Sequence, residues 1–117
     1  MRVSVQKLFD VISDDSEFLV VNKPAGLVCH PTKTDEYSSL ISRARIFLGT
    51  GSRPHLINRL DRETSGVVLI AKEDAAARAV RRLWESREVS KEYLAIVHGR
   101  VVHPTGTITT CLGKDEA

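Results

Sequence analysis

The apolar residues of this chain come in short unbroken runs, and that restricts what it can fold into. Residues 18–21 (FLVV) and 67–71 (VVLIA) each join adjacent valines to other apolar residues. Pro24 and Gly26 close the first run, and Lys72 and Glu73 close the second. Runs of this length and content predict strands buried on both faces rather than helices with a polar side. No run approaches the roughly 20 residues of a membrane span, so no transmembrane helix is expected. Between the runs the period changes. Leu40, Ile41, Ala44, Phe47 and Leu48 fall on one helical face, with serines before them and Gly49 after. Those flanks suit an N-cap and a C-terminal stop. Residues 73–86 predict a second helix with an apolar stripe of Ala76, Val80, Leu83 and Trp84. Two acids at its head and Arg87 past its tail suit the helix dipole. Residues 90–98 alternate and residues 107–112 are β-branched, which predicts two more strands. Residues 27–29 are a further short strand candidate, 31–37 a loop and 49–54 a flexible connector. The expected fold is α+β, a mixed, largely antiparallel sheet with flanking helices.

Composition narrows the class further. The chain has 117 residues, 42% hydrophobic and 27% charged. That is the balance of a folded domain, of a size that buries about two-thirds of its unfolded surface. The net charge of +2 conceals an uneven distribution. Residues 43–62 hold Arg43, Arg45, Arg53, Arg59 and Arg62 against Asp61 alone among the carboxylates. Arginine is favoured for bidentate phosphate contacts, so this stretch is either the footprint of a polyanion or a solvated basic face. Cys29 and Cys111 form no CxxC pattern, and the four histidines match no zinc spacing. No metal is expected. The first ten residues lack the pattern of a signal peptide, and a cytoplasmic location is the expectation.

One segment carries chemistry. Residues 58–66 (NRLDRETSG) set an aspartate between two arginines, followed by a glutamate, two hydroxyls and a glycine, just ahead of the second apolar run. Guanidinium groups beside a carboxylate favour its ionised form, and an ionised carboxylate can attack an anomeric carbon. The same residues also suit a salt-bridged polar loop closed by an Asx-turn.

The exact run resembles the motif of the RluA-type RNA pseudouridine synthases, roughly H-R-L-D-x-x-T-S-G followed by an apolar strand and Ala-Lys. Upstream, residues 18–31 (FLVVNKPAGLVCHP) look like the family's strand and N-K-P-x-G turn. Downstream, residues 91–99 (KEYLAIVHG) look like its K-x-Y-x-A-x-V-x-G strand, and residues 112–115 (LGKD) resemble a later element. Three motifs in order across residues 17–115 make a chance match untenable, and the aspartate motif is the most specific.

The resemblance implies isomerisation of uridine to pseudouridine in ribosomal or transfer RNA, with no cofactor and no metal. Asp61 matches the catalytic aspartate, acting at the ribose C1′ by direct attack or by promoting a glycal intermediate. Arg59 matches the arginine that takes the place of the flipped base in the stack. Tyr93 matches the active-site tyrosine that lies against the target base, where an aromatic face with a polar tip suits stacking and proton transfer. Arg62 and Lys91 are assigned to RNA backbone or carboxylate pairing, and Lys23 to a structural role. RNA is the expected partner, with no membrane, and the full-length protein is expected to be a monomer.

Two departures stand out. Asn58 occupies the usual histidine position, and it can donate and accept but carries no charge. The family's domain also continues past residue 117, into more sheet and a G-R-x-H-Q-I-R run with the cation that pairs with the aspartate. The expectation is therefore that residues 1–117 form the N-terminal portion of one catalytic domain, with no separate N-terminal RNA-binding domain. The alternatives are an RNA-binding module that leaves RNA unmodified and, more remotely, a glycoside-cleaving site needing Glu63 as second carboxylate.

Overall fold

A computed structural model describes residues 9–32 and 38–113. The expected loop residues 33–37, the N-terminal segment 1–8 and the Lys114-Asp115 end of the last motif lie outside the described residues. The elements run β1 (Asp10–Asp14), β2 (Phe18–Lys23), α1 (Leu40–Leu48), β3 (His55–Leu56), β4 (Gly66–Ala71) and α2 (Asp74–Glu85). The four strands form one sheet in the order β1-β2-β4-β3, and every neighbouring pair is antiparallel.

The two apolar runs are the central strands and pair with each other. Phe18 stands opposite Ala71 and Lys23 opposite Gly66, without a bulge between them. Alternation then sorts the side chains. Leu19 and Val21 share a face with their partners Ile70 and Val68, and all four are fully buried. α1 covers that face through Leu40, Ile41 and Ala44, joined by Phe9, Leu27, Cys29, Leu56 and Leu60. The opposite face is covered near Ala71, where Ala76 and Ala77 of α2 pack with Phe18 and Ile57. The small alanines let α2 approach the sheet closely. Val80 is half-buried and Leu83 is 49% exposed, so the stripe is narrower than its period suggested.

The helix ends follow the sequence. The Ser39 side chain accepts from the Ser42 amide, and Gly49, at φ 91°, donates its amide to the Arg45 carbonyl. α2 ends in a Schellman turn. The Arg87 amide donates to the Trp84 carbonyl and the Glu88 amide to that of Leu83. Arg87 takes the left-handed position itself, at φ 59°, where glycine is the usual residue.

Three expected strands are absent among the described residues. Residues 27–29 instead cap α1, for the Leu40 amide donates to the Val28 carbonyl and the Ile41 amide to that of Cys29. Residues 90–98 and 107–112 join no ladder, and Leu94 and Ile96 are wholly exposed. A strand exists only beside a partner, and no described residue offers these segments one. β1 was not foreseen. All five of its residues are exposed, and its carboxylates suit a sheet edge. The Asp15 carboxylate closes the β1–β2 turn by accepting from the amides of Glu17 and Phe18, which hold its pKa below the ordinary carboxylate value. Lys72 bonds to Asp14 and to the Asp15 carbonyl, tying that turn to the end of β4.

Replacing Arg87 with glycine removes a left-handed non-glycine residue, and about 0.5–1 kcal/mol of added stability is expected in urea titration. In hydrogen exchange, β2 and β4 amides should be the most protected, and those of residues 93–112 should exchange like an open chain.

Candidate active site

Residues 57–65 link β3 to β4, and side chains rather than a tight turn hold this long loop in place. Its first anchor is Asn58. The Asn58 Nδ2 donates to the Val67 carbonyl at 3.0 Å, and its Oδ1 accepts from the Leu69 amide at 2.9 Å. Val67 O can only accept and Leu69 N can only donate, which settles the orientation of the amide. The Ile57 amide already donates to the Leu69 carbonyl. Asn58 therefore extends the β3–β4 ladder with its side chain after the backbone has left it. The need for one donor and one acceptor on a planar group explains how an asparagine serves here.

The second anchor is Leu60. Its side chain is buried in the main core, and its backbone pairs both ways with Cys29. The Leu60 amide donates to Sγ and the thiol donates to the Leu60 carbonyl, each at 3.4 Å. Gly66, at φ 139°, starts β4 directly against Leu60.

The third anchor is Lys23, fully buried at the end of β2. Its ammonium donates to the carbonyls of Pro24 at 2.9 Å, Leu27 at 2.6 Å and Arg62 at 3.1 Å, using all three of its donors. Burial lowers the pKa of this amine, while Cys29, Glu63 and Asp61 pull it upward. Gly26, at φ 92°, adds a bond from its amide to the same Arg62 carbonyl at 2.7 Å. The Thr64 amide closes a turn on the Asp61 carbonyl at 3.0 Å.

These anchors pin the backbone on both sides of Asp61 and leave its side chain in solvent. Arg59, Asp61 and Arg62 are all exposed. Among the described residues the Asp61 carboxylate has no hydrogen-bond or ion-pair partner. Desolvation, and then the guanidinium groups of Arg59 and Arg45, hold His30 below the ordinary imidazole value. Across the sheet edge, the Schellman turn after α2 sends residues 89–94 back past the loop. Between them opens a cleft of about 770 Å³. Asn58, Glu63, Val67 and Leu69 line one side, and Trp84, Lys91 and Tyr93 the other. Tyr93 is 62% exposed, and the Lys91 ammonium stands 5.5 Å from the centroid of the Trp84 ring.

The five residues singled out from the sequence thus fall into two groups. Tyr93 and Lys91 line the cleft, whereas Arg59, Asp61 and Arg62 lie on the loop beside it and are not among its lining residues. Among the described residues no cluster of three histidines, cysteines or carboxylates could hold a metal, and no helix is long and apolar enough to cross a membrane.

Comparison with known proteins assigns this arrangement to a family. The model of the RNA pseudouridylate synthases matches residues 17–117. The chain belongs to this family. An uncharacterised RNA pseudouridine synthase of Bacillus subtilis, YlyB, is 33% identical over 113 residues, covering 92% of this chain and 37% of its own. Two relatives carry more specific names. Ribosomal large subunit pseudouridine synthase D of Buchnera aphidicola is 35% identical over 97 residues, or 80% of this chain and 31% of its own. The tRNA pseudouridine synthase C of Haemophilus ducreyi is 37% identical over 92 residues, or 79% of this chain and 38% of its own. These names place the chain among the RluA-type synthases. A solved structure, human RNA pseudouridylate synthase domain containing 4, superposes with a TM-score of 0.52 at 31% identity over 68% of this chain and 30% of that one. The chain spans about a third of the length of the curated relatives it matches.

Three residues that hold this loop or line the cleft beside it carry only faint sequence signals. Cys29 looks incidental and Trp84 looks like core, while Asn58 looks like a departure from the family's histidine. The one usable signal is that asparagine carries an amide, which can mimic a peptide group. Replacing Asn58 with alanine leaves the Val67 carbonyl and Leu69 amide without that partner and should cost about 1–3 kcal/mol, measured by urea unfolding. Asn58→Asp should cost as much, because a carboxylate cannot donate to Val67.

Proposed function

We propose that this chain carries the aspartate motif of an enzyme that isomerises uridine to pseudouridine in RNA, ribosomal or transfer. The observation that carries the reading is the family match across residues 17–117, with its most specific motif on an exposed loop held from both sides. In this reading Asp61 acts at C1′ of the ribose. The N1–C1′ bond breaks, C5 of the freed base bonds to C1′, the proton on C5 departs and N1 takes one up. Asp61 attacks C1′ directly or promotes a glycal intermediate, and the two routes share the same bond changes. Arg59 fills the gap left by the flipped base, which offsets the few kcal/mol that unstacking costs. Tyr93 lies against the uracil and serves the proton transfer at C5. Arg62 and Lys91 contact the RNA backbone. The reading includes residues 1–117 as the N-terminal portion of one catalytic domain.

A second reading, RNA binding without isomerisation by these residues alone, draws support from two features. Asp61 does not line the cleft that holds Tyr93, and residues 94–112 are exposed throughout.

Carbodiimide mapping of RNA from cells expressing the parent protein tests the first reading. Asp61→Asn should abolish the modification, a loss of at least about a thousandfold in rate. Persistence of the modification in that variant would exclude Asp61 from the chemistry. If no modification depends on the parent protein at all, the binding reading replaces the enzymatic one.

A further inference from the structure

A histidine and two arginines from three separate segments lie in the neighbourhood of Cys29. The Cys29 carbonyl accepts from the Ile41 amide at 3.1 Å, so His30, the next residue, lies at the start of α1. The Cys29 thiol pairs with the Leu60 backbone, so Arg59, the residue before Leu60, lies there too. Arg45 stands one helical turn beyond Ile41 on α1. All three side chains are exposed. Among the described residues none of them has a carboxylate partner. Arg59 and Arg45 both add to the desolvation that disfavours the protonated form of His30. Like charges near an imidazole, with no carboxylate paired to them among the described residues, form a site that an anion relieves.

We infer that His30 and Arg45, beside Arg59, form a phosphate-binding subsite on the α1 side of the Asp61 loop, taking a phosphodiester of the RNA strand. The inference rests on the RNA reading above and extends it to two residues outside the family's aspartate motif. The ligand is a phosphodiester of a polymer because Arg59 stands two residues from Asp61. A phosphate bound here belongs to a nucleotide next to the one presented to the aspartate. Arg59 marks the border of the subsite with the loop, and Arg45 and His30 define it. A bound phosphate reverses the electrostatics at His30, whose protonated form is then favoured. Binding therefore takes up a proton, and affinity rises as pH falls through the imidazole range. Among the described residues the charged groups that act on His30 are Arg59 from the loop and Arg45 from α1.

Fluorescence anisotropy with a labelled single-stranded RNA oligonucleotide and the full chain tests this at two salt concentrations and at about pH 6 and about pH 8. Arg45→Ala should weaken binding about fivefold at low salt and lower the salt slope by about 0.7–1. His30→Gln should remove the gain in affinity at the lower pH. In wild-type protein the His30 ring protons, followed by NMR, should titrate at higher pH with the oligonucleotide than without it. Both positions are exposed, and circular dichroism should show both variants folded. If both variants bind as wild type does, with the same salt slope and pH dependence, the inference is overturned while RNA binding stands. If inorganic phosphate at equal phosphate concentration moves His30 as far as the oligonucleotide does, the assignment to an RNA strand is overturned in favour of a free-phosphate site. If the wild-type chain does not bind the oligonucleotide, the RNA reading fails and takes the subsite with it.

Discussion

The pairing of Phe18–Lys23 with Gly66–Ala71 determines where every other part of this structure goes. Antiparallel pairing sets Lys23 opposite Gly66, so the turn that leaves β2 and the loop that enters β4 meet at one end of the sheet. Alternation does the rest. The inward positions along β2 are Leu19, Val21 and Lys23, two hydrophobic side chains and then an ammonium. A buried ammonium is tolerated only where it is fully hydrogen-bonded. Here the acceptors are backbone carbonyls from both loops, those of Pro24, Leu27 and Arg62. The apolar pairs hold the strands together, and the charged position at their end organises the loops.

A division of labour follows within the segment 58–66. The residues that fix its path turn inward or use their backbone: Asn58 onto β4, Leu60 into the core, Arg62 through its carbonyl onto Lys23 and Gly26. The residues carrying charge between them, Arg59, Asp61 and Glu63, stay exposed. Arg62 does both, since its carbonyl is the shared acceptor while its side chain is exposed. A functional side chain on a loop needs its backbone held by the surrounding scaffold, and this loop receives it from three directions.

Much of the fold was legible locally. The runs at 18–21 and 67–71 became the central strands because their apolar content leaves them no solvent-exposed alternative. Helices α1 and α2 followed from period and from Ser39, Gly49 and Asp74 at their ends. Local pattern failed wherever a partner decides the outcome. Residues 93–97 have the alternation of a strand, yet no described residue pairs with them. β1 has little apolar pattern and still pairs with β2, because an edge strand needs hydrogen bonds on only one side. Two histidines illustrate the same limit. His55 bonds to Asp74 at 2.6 Å, and that bond depresses the Asp74 pKa. His30 instead stands among arginines.

By itself, the sequence determined the central strands, the two helices and the family, because each is written in short-range order: period, caps and a contiguous motif. Only the tertiary structure decided that Asn58 completes a ladder, that Lys23 gathers two loops, and that His30 and Arg45 stand beside Arg59. Residues far apart along the chain are brought together by strand register and core packing, and a motif read along the chain does not encode those distances.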